Sequence, residues 1–354
     1  MAVSRLSTAR SVLWPNNTNI LVRVAFLYVG QGASAVVFAA DGSAYKVVLV
    51  DINLDTCSGG IDVPKLMHDL LDGQSLHAFA NTHPHNDHLN GTNKLSDTIT
   101  INNVWHSGHI PSKKYGSKYS ELESLIKKVK KNGGEEFILE GSRSAIAIGD
   151  AFYHVLSPAQ YVTDEVNEEE ADARYARIHE QCAVLKFGKN AKWIMITGDA
   201  DRAAFENHIT EYHKDRLSAF ALGGSHHGSR TFFRDTEDDE PYLDALNGID
   251  PNFVVISAPK QSESKHEHPH DDALELYEDH VGAENVLHMG AERTCYIFDV
   301  HKDGSVGVSN DGGQLAKEYG LIDEDNPTAK SEGKAIGGFV RPAVPAVVGE
   351  GRWA

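Results

Sequence analysis

Between Ala80 and Gly91 the chain reads Ala-Asn-Thr-His-Pro-His-Asn-Asp-His-Leu-Asn-Gly, so four side chains able to bind a metal, His83, His85, Asp87 and His88, fall within six positions. A short, mostly apolar run, Leu76 to Ala80, leads into them. Alternate residues of an extended segment share a face, so His83 and His85 can point the same way while Asp87 and His88 turn toward a neighbouring point. This geometry suits two metal ions, the first held by His83 and His85 and the second by Asp87 and His88. Histidine is common in this chain, at 19 of 354 residues, so it is the pattern at the end of a strand that carries the argument.

Three further constellations stand out, two of them after strand-like runs. Met195-Ile196-Thr197-Gly198-Asp199 places the Asp199 carboxylate at a strand end, where it could bridge two metals or cap the next helix. Ser225-His226-His227-Gly228-Ser229 presents two adjacent imidazoles that must project differently, one toward metal and the other toward substrate. Arg230 beside them could hold an anionic group. His266-Glu267-His268-Pro269-His270 precedes a helix, and His268 is the candidate to close the pocket as general acid or ligand.

The rest of the chain supplies a scaffold with strands and helices mixed. Ile20 to Val29, the Ala33–Ala40 run and Tyr45 to Ile52 read as an antiparallel meander, with Asp51 closing the third strand. Helices are expected at Val63 to Leu71, 86 to 95, Tyr119 to Lys131, Ala203 to Tyr212 and Asp271 to Glu278. Cys182 to Phe187 and Trp193 to Thr197 form a hairpin around Gly188-Lys189-Asn190, and the acidic run Asp164 to Asp172 reads as a solvated face. The second half repeats the first in outline, which predicts a sheet-on-sheet sandwich with helices outside. The expected division is a polar lead-in over 1–19, a main folded domain carrying the histidine motifs over 20–312, and an irregular or partner-docking tail over 313–354.

Composition narrows the setting. Three widely spaced cysteines without a Cys-x-x-Cys pair suit a reducing, cytoplasmic environment. No apolar run is long enough to span a bilayer. The net charge of −18 disfavours long, non-specific contact with nucleic acid, but it allows an anionic small molecule or a short strand end, since bound metals reverse the local field.

Taken together, His-x-His-x-Asp-His, Thr-Gly-Asp, His-His-Gly-Ser and His-Pro-His, with the early Tyr28-Val29-Gly30-Gln31-Gly32 strand, resemble the metallo-β-lactamase superfamily. The likeness runs from about residue 22 to 300. Within the superfamily it is greatest to the hydrolase domain of the competence protein ComEC and its stand-alone relatives. The resemblance implies an α+β fold, the αββα four-layer sandwich, with one or two zinc ions at one edge of the sheets; Mn2+ or another divalent metal could fill the second position. Residue by residue, it implies His83, His85 and His179 for one metal, Asp87 and His88 for the other, Asp199 as the bridge, and Asp51 as the supporting carboxylate. His179 is preferred over His154, His106 and His109. Of the adjacent pair, His227 resembles the last ligand of the second site and His226 the substrate-facing ring. His268 resembles the pocket histidine, whose role as ligand or catalyst stays open. The chain departs from ComEC in lacking membrane helices and in an acidic insertion over Asp235–Glu240.

The expected activity is metal-dependent hydrolysis by a metal-bound hydroxide, first of a phosphodiester (nuclease or small-molecule phosphodiesterase), with Asp87, His226 and His268 as candidate catalytic residues. The alternatives are a carboxyl-ester, lactone or lactam hydrolase using the same site, and a non-catalytic metal-binding protein. The tail is the expected route to a protein partner or homo-oligomer.

Overall fold

The computed structural model describes residues 7–310 and 312–321. Chain order gives β1 (Ile20–Phe26), β2 (Ala35–Asp41), β3 (Ala44–Val50), β4 (Ala78–Asn81), β5 (Asn103–His106) and β6 (Glu135–Ile138), which lie in one sheet. A second sheet takes β7 (Ile146–Ile148), β8 (Ala151–Ser157), β9 (Val184–Lys189), β10 (Lys192–Ile196), β11 (Ala221–Gly223), β12 (Phe253–Ile256) and β13 (Val286–His288). The last strands, β14 (Tyr296–His301) and β15 (Val306–Ser309), return to the first sheet, whose order is β15-β14-β1-β2-β3-β4-β5-β6. The two halves of the chain are therefore not two equal sheets, because β14 crosses back to pair with β1.

The layers follow from side-chain period. Strand residues alternate between faces, and in β10 and β12 Ile194, Ile196 and Val255 join the core shared with the first sheet, whereas Met195, Val254 and Ile256 join the core under the outer helices. That outer core is closed by Phe205, Ile209, Leu246 and Tyr277. On the other side, Leu66, Met67, Leu70 and Leu71 of the helix Val63–Leu71 and Leu122, Leu125 and Val129 of Tyr119–Lys131 cover the first sheet. Helix, sheet, sheet, helix is the αββα sandwich expected from the sequence. β1 is buried along its whole length, and its one charge, Arg23, is held by a two-pronged pair to Asp299 across the ladder, Nε–Oδ1 2.7 Å and Nη2–Oδ2 2.6 Å. The β9–β10 hairpin turns at Asn190-Ala191, both at positive φ, one residue beyond the expected centre.

The boundaries differ from expectation at both ends. Thr8–Leu13 is a helix capped by Ser7, with Ala9 and Leu13 buried, so this part of the expected lead-in packs into the core. The segment expected to open an irregular tail is the helix Gly313–Tyr319, with Leu315 and Tyr319 buried and Leu321 N donating to the Gly60 carbonyl. Apolar anchors at helical spacing, too few to dominate the local composition, dock both pieces. The remainder of the expected tail lies outside the described residues. Among the described residues no helix is long and apolar enough to cross a membrane.

Candidate metal centre

Three of the four constellations singled out in the sequence leave a strand at the same edge of the sandwich, and His266–His270 lies just before the helix Asp271–Val281. β3 and β4 run parallel, so Asp51 and the segment from Thr82 emerge at one end of the first sheet. β10, β11 and β12 run parallel in the second, so Thr197–Asp199, the 225–229 segment and Ser257 emerge together. β9 is antiparallel to β10, which puts the residues before it, including His179, at that end as well. Loops beyond the carboxyl ends of parallel strands are the usual place for a site in such sheets. The Ala183 amide, donating to the Thr82 carbonyl at 2.8 Å, and the His226 amide, donating to the Gly198 carbonyl at 3.0 Å, tie these loops to one another.

Two groups of ligand atoms result. His83, His85, His179 and Asp199 form one; Asp87, His88 and His227 form the other. In the first, His179 Nε2 lies 3.3 Å from His85 Nδ1, and His83 Nε2 lies 3.5 Å from Asp199 Oδ2. In the second, His88 Nε2 and His227 Nε2 are 3.3 Å apart, and His227 Nε2 is 3.4 Å from Asp87 Oδ2. Asp199 belongs to both groups, with Oδ2 toward the first and Oδ1 3.1 Å from His88 Nε2 and 3.5 Å from His227 Nε2. Ligand nitrogens about 2.0–2.1 Å from a tetrahedral zinc stand about 3.3–3.4 Å from one another, the spacing of the His179–His85 pair in the first group and of the His88–His227 pair in the second.

The outer nitrogens decide which way the inner lone pairs face. His88 Nδ1 donates to Asp51 Oδ2 at 2.8 Å, and His227 Nδ1 donates to the Ser257 carbonyl at 2.9 Å. The Thr82 hydroxyl gives its proton to Asp51 Oδ2 at 2.6 Å, so it can only accept from His83 Nδ1, 3.2 Å away. In their neutral forms all three rings therefore present an Nε2 lone pair inward. His83 Nε2 is buried without a hydrogen-bond partner, and the buried Asp199 Oδ1 faces only the Nε2 atoms of His88 and His227. Ring nitrogens converging on a buried carboxylate, with the His83 Nε2 left unpartnered, fit a cation.

Electrostatics follow the same pattern. Burial alone would raise the Asp199 carboxyl, but the charged imidazoles beside it, His88 first and then His227, hold it well below its ordinary value. Burial likewise pushes against ionised Asp87, and the hydrogen bond and charge of His227, with His88, win. Burial disfavours charge on His88 and His227, yet Asp199 and, for each, a second carboxylate raise both; His227 reaches about 9. Burial keeps His83, His179 and His226 uncharged, the last two at about 3.

The backbone separates the adjacent histidines. His226 (φ 48°) and His227 (φ 58°) both occupy the left-handed region, which sends the rings to different sides of Asp199. His227 joins the second group. His226 stays 3.7 Å from Asp199 Oδ2, with its Nδ1 2.8 Å from the Thr231 hydroxyl. His268 is buried beside it, ring centroids 5.2 Å apart, with its Nδ1 unpartnered. His106 pairs with Glu136, His109 with Gln181, and His154 packs on Trp193; none of the three joins either group. Arg230 is engaged by Asp272 at 3.1 Å. The acidic run forms parts of two helices, Gln160–Glu168 and Ala171–Ala176; Glu165 and Glu169 hold Arg177. Sequence reasoning missed Thr82, Ser257 and Thr231, whose roles depend on which ring nitrogen each meets, and Tyr175, whose ring lies 5.6 Å from His85.

No known family's sequence profile matches the chain, and no curated protein does. Among solved structures it is similar to the metallo-β-lactamase fold protein YhfI from Bacillus subtilis, at 12% identity and TM-score 0.41, over 81% of this chain and 100% of that one. It is also similar to a diphosphatase from the PhnP family, at 12% identity and TM-score 0.37, over 75% and 94% of the two chains. A third is the metallo-β-lactamase SMB-1 bound to 2-mercaptoethanesulfonate, at 9% identity and TM-score 0.29, over 74% and 87%.

Proposed function

We propose that the chain is a metal-dependent hydrolase whose site holds two divalent ions, zinc in the first position and zinc or manganese in the second, and that it acts on a phosphodiester. The observation that carries this reading is the pair of ligand groups joined through the two oxygens of Asp199, with the Nε2 lone pairs of His83, His88 and His227 turned inward. His83, His85 and His179 would hold one ion, Asp87, His88 and His227 the other, and Asp199 both. Metals bound there supply Lewis acidity, lowering the pKa of water toward neutrality and stabilising negative charge that develops on the substrate.

The chain's own residues orient the reaction. Asp51 fixes the His88 tautomer directly and that of His83 through the Thr82 hydroxyl, so both rings are set before any ion arrives. His226 and His268 lie on the substrate side. In the tautomer where the Thr231 hydroxyl donates to His226 Nδ1, the ring keeps an Nε2–H to hold a phosphoryl oxygen. Asp87 stays ionised beside His227. The phosphodiester ranks first because the motif set resembles the ComEC-like hydrolase domain.

The test is metal content of the purified protein together with turnover of bis(p-nitrophenyl) phosphate by wild type and Asp199→Ala. About two metals per chain, with turnover lost in the variant, is the expected result. Bound metal without turnover redirects the reading to a carboxyl ester, lactone or lactam, and inertness toward these too would make the chain a metal-binding protein. A chain that binds no divalent metal ends it.

A further inference from the structure

From Asn102 to Ser120 the chain carries no acidic residue, in a protein with 51 of them, and Lys113, Lys114, Tyr115 and Lys118 stand in that stretch. The segment lies against the histidine-rich motif, since Ser117 Oγ donates to Asn86 Oδ1 at 2.8 Å and Asn86 separates His85 from Asp87. Across from it is the helix Ala171–Ala176, which has no buried residue. Such a helix gains little from the hydrophobic core; polar ties to the acid-free segment hold it instead. Asp172 Oδ1 accepts from Lys114 Nζ at 3.0 Å and from the Tyr115 hydroxyl at 2.8 Å. Arg174 donates to the Asn167 carbonyl, and the Asn167 side chain bonds the Gly108 carbonyl and the Ile110 amide.

What this arrangement places at the mouth of the centre is a pair of rings. Tyr175 stacks on Tyr115 with centroids 4.0 Å apart and planes 14° off parallel, and it stands 5.6 Å from the His85 ring. Tyr175 is still 39% exposed, and Ile110 on the facing segment is 51% exposed. The Lys114 ammonium lies 4.6 Å from the Tyr115 ring centre. A stacked pair of one exposed and one half-buried tyrosine beside a candidate metal ligand, with Lys114 shared between Asp172 and the Tyr115 ring and Lys113 exposed next to it, has the two features that recognise a flat ring attached to an anionic group.

We propose that Tyr115, Tyr175 and Lys114 form a substrate subsite that takes a planar aromatic ring carried next to the phosphoryl group, so that ring-bearing phosphodiesters are preferred over alkyl ones. The inference rests on the phosphodiesterase reading above, and its test reads binding rather than turnover. Titration of the metal-loaded protein with phenylphosphonate and methylphosphonate should give tighter binding of the phenyl compound by on the order of five- to tenfold. Tyr175→Ala and Tyr115→Ala should each remove most of that difference while leaving methylphosphonate affinity unchanged, and Tyr175→Leu, which keeps an apolar side chain on the helix, should remove part of it. Equal affinity of the wild type for the two phosphonates, or a phenyl preference that survives both alanine variants, overturns the subsite. Failure to hydrolyse bis(p-nitrophenyl) phosphate would count separately against the phosphodiesterase reading.

Discussion

His88 and His227 face each other with their Nε2 atoms 3.3 Å apart, while the Nδ1 of each ring is already committed to an acceptor, the Asp51 carboxylate in one case and the Ser257 carbonyl in the other. The facing nitrogens are thus available only to a proton or a metal. Asp199 and its neighbouring carboxylates raise both rings above the ordinary histidine value, His227 to about 9, so without metal they keep protons near neutrality. Metal uptake in the second group should then release protons, and its affinity should rise as pH increases from about 6.5 toward 9. Calorimetric titrations in two buffers of different ionisation enthalpy check this; identical heats would contradict it.

Asp51 accepts four hydrogen bonds, from the Thr82 amide and hydroxyl, Asn81 Nδ2 and His88 Nδ1, from a backbone at φ 55°. Asn tolerates that conformation, so Asp51→Asn removes the charge and the second strong acceptor without new backbone strain. The expected effect is a roughly 10- to 100-fold weaker hold on metal with the fold kept, read by chelator competition alongside circular dichroism.

Gly32 sits at φ 130°, and a Cβ there would come 2.5 Å from the Asp87 carbonyl oxygen and 2.9 Å from the Asn53 side chain. Gly32→Ala must therefore displace the segment that carries Asp87. Occupancy of the second group should fall while the first is retained, with a stability loss of about 1–3 kcal/mol. Metal analysis after dialysis separates this from uniform loss.

Away from the centre, His213 is fully buried and donates Nε2–H to the Leu156 carbonyl at 2.8 Å. Burial, with Lys186, Arg143 and His154 adding to it and the Leu156 bond opposing, brings the ring down to about 4. Between 4 and the unfolded value near 6.5 the unfolded chain binds the extra proton, so this contribution is complete above about 6.5 and is lost as pH falls. Metal-free wild type should lose stability through that window. His213→Gln, which keeps an N–H donor and never titrates, should flatten the slope by up to about 1.4 kcal/mol per pH unit in urea unfolding.

Tyr319 is buried, with its hydroxyl 3.0 Å from Asp69 Oδ2. Tyr319→Ala should cost about 3–5 kcal/mol, measured as a lower urea midpoint. A change under about 0.5 kcal/mol would mean that the helix Gly313–Tyr319 does not contribute to the core.

Local pattern alone determined a good deal about this protein. Alternating Val-rich runs and amphipathic helical stretches identify the mixed α+β sandwich, because periods of two and 3.6 are properties of neighbouring residues. The four metal-capable side chains of residues 83–88 are legible for the same reason: six residues at a strand end cannot spread far. Tertiary structure decided what depends on long-range meeting. It brought His179 to His85 across 94 positions of chain and turned His227, not His226, into the second group through two left-handed residues. It also joined β14 to β1 and docked the helices Thr8–Leu13 and Gly313–Tyr319. Which nitrogen of each ring faces inward was settled by Asp51, Thr82 and Ser257. A hydrogen bond between distant residues leaves no periodic mark in a sequence, and only the packed fold chooses its donor and acceptor.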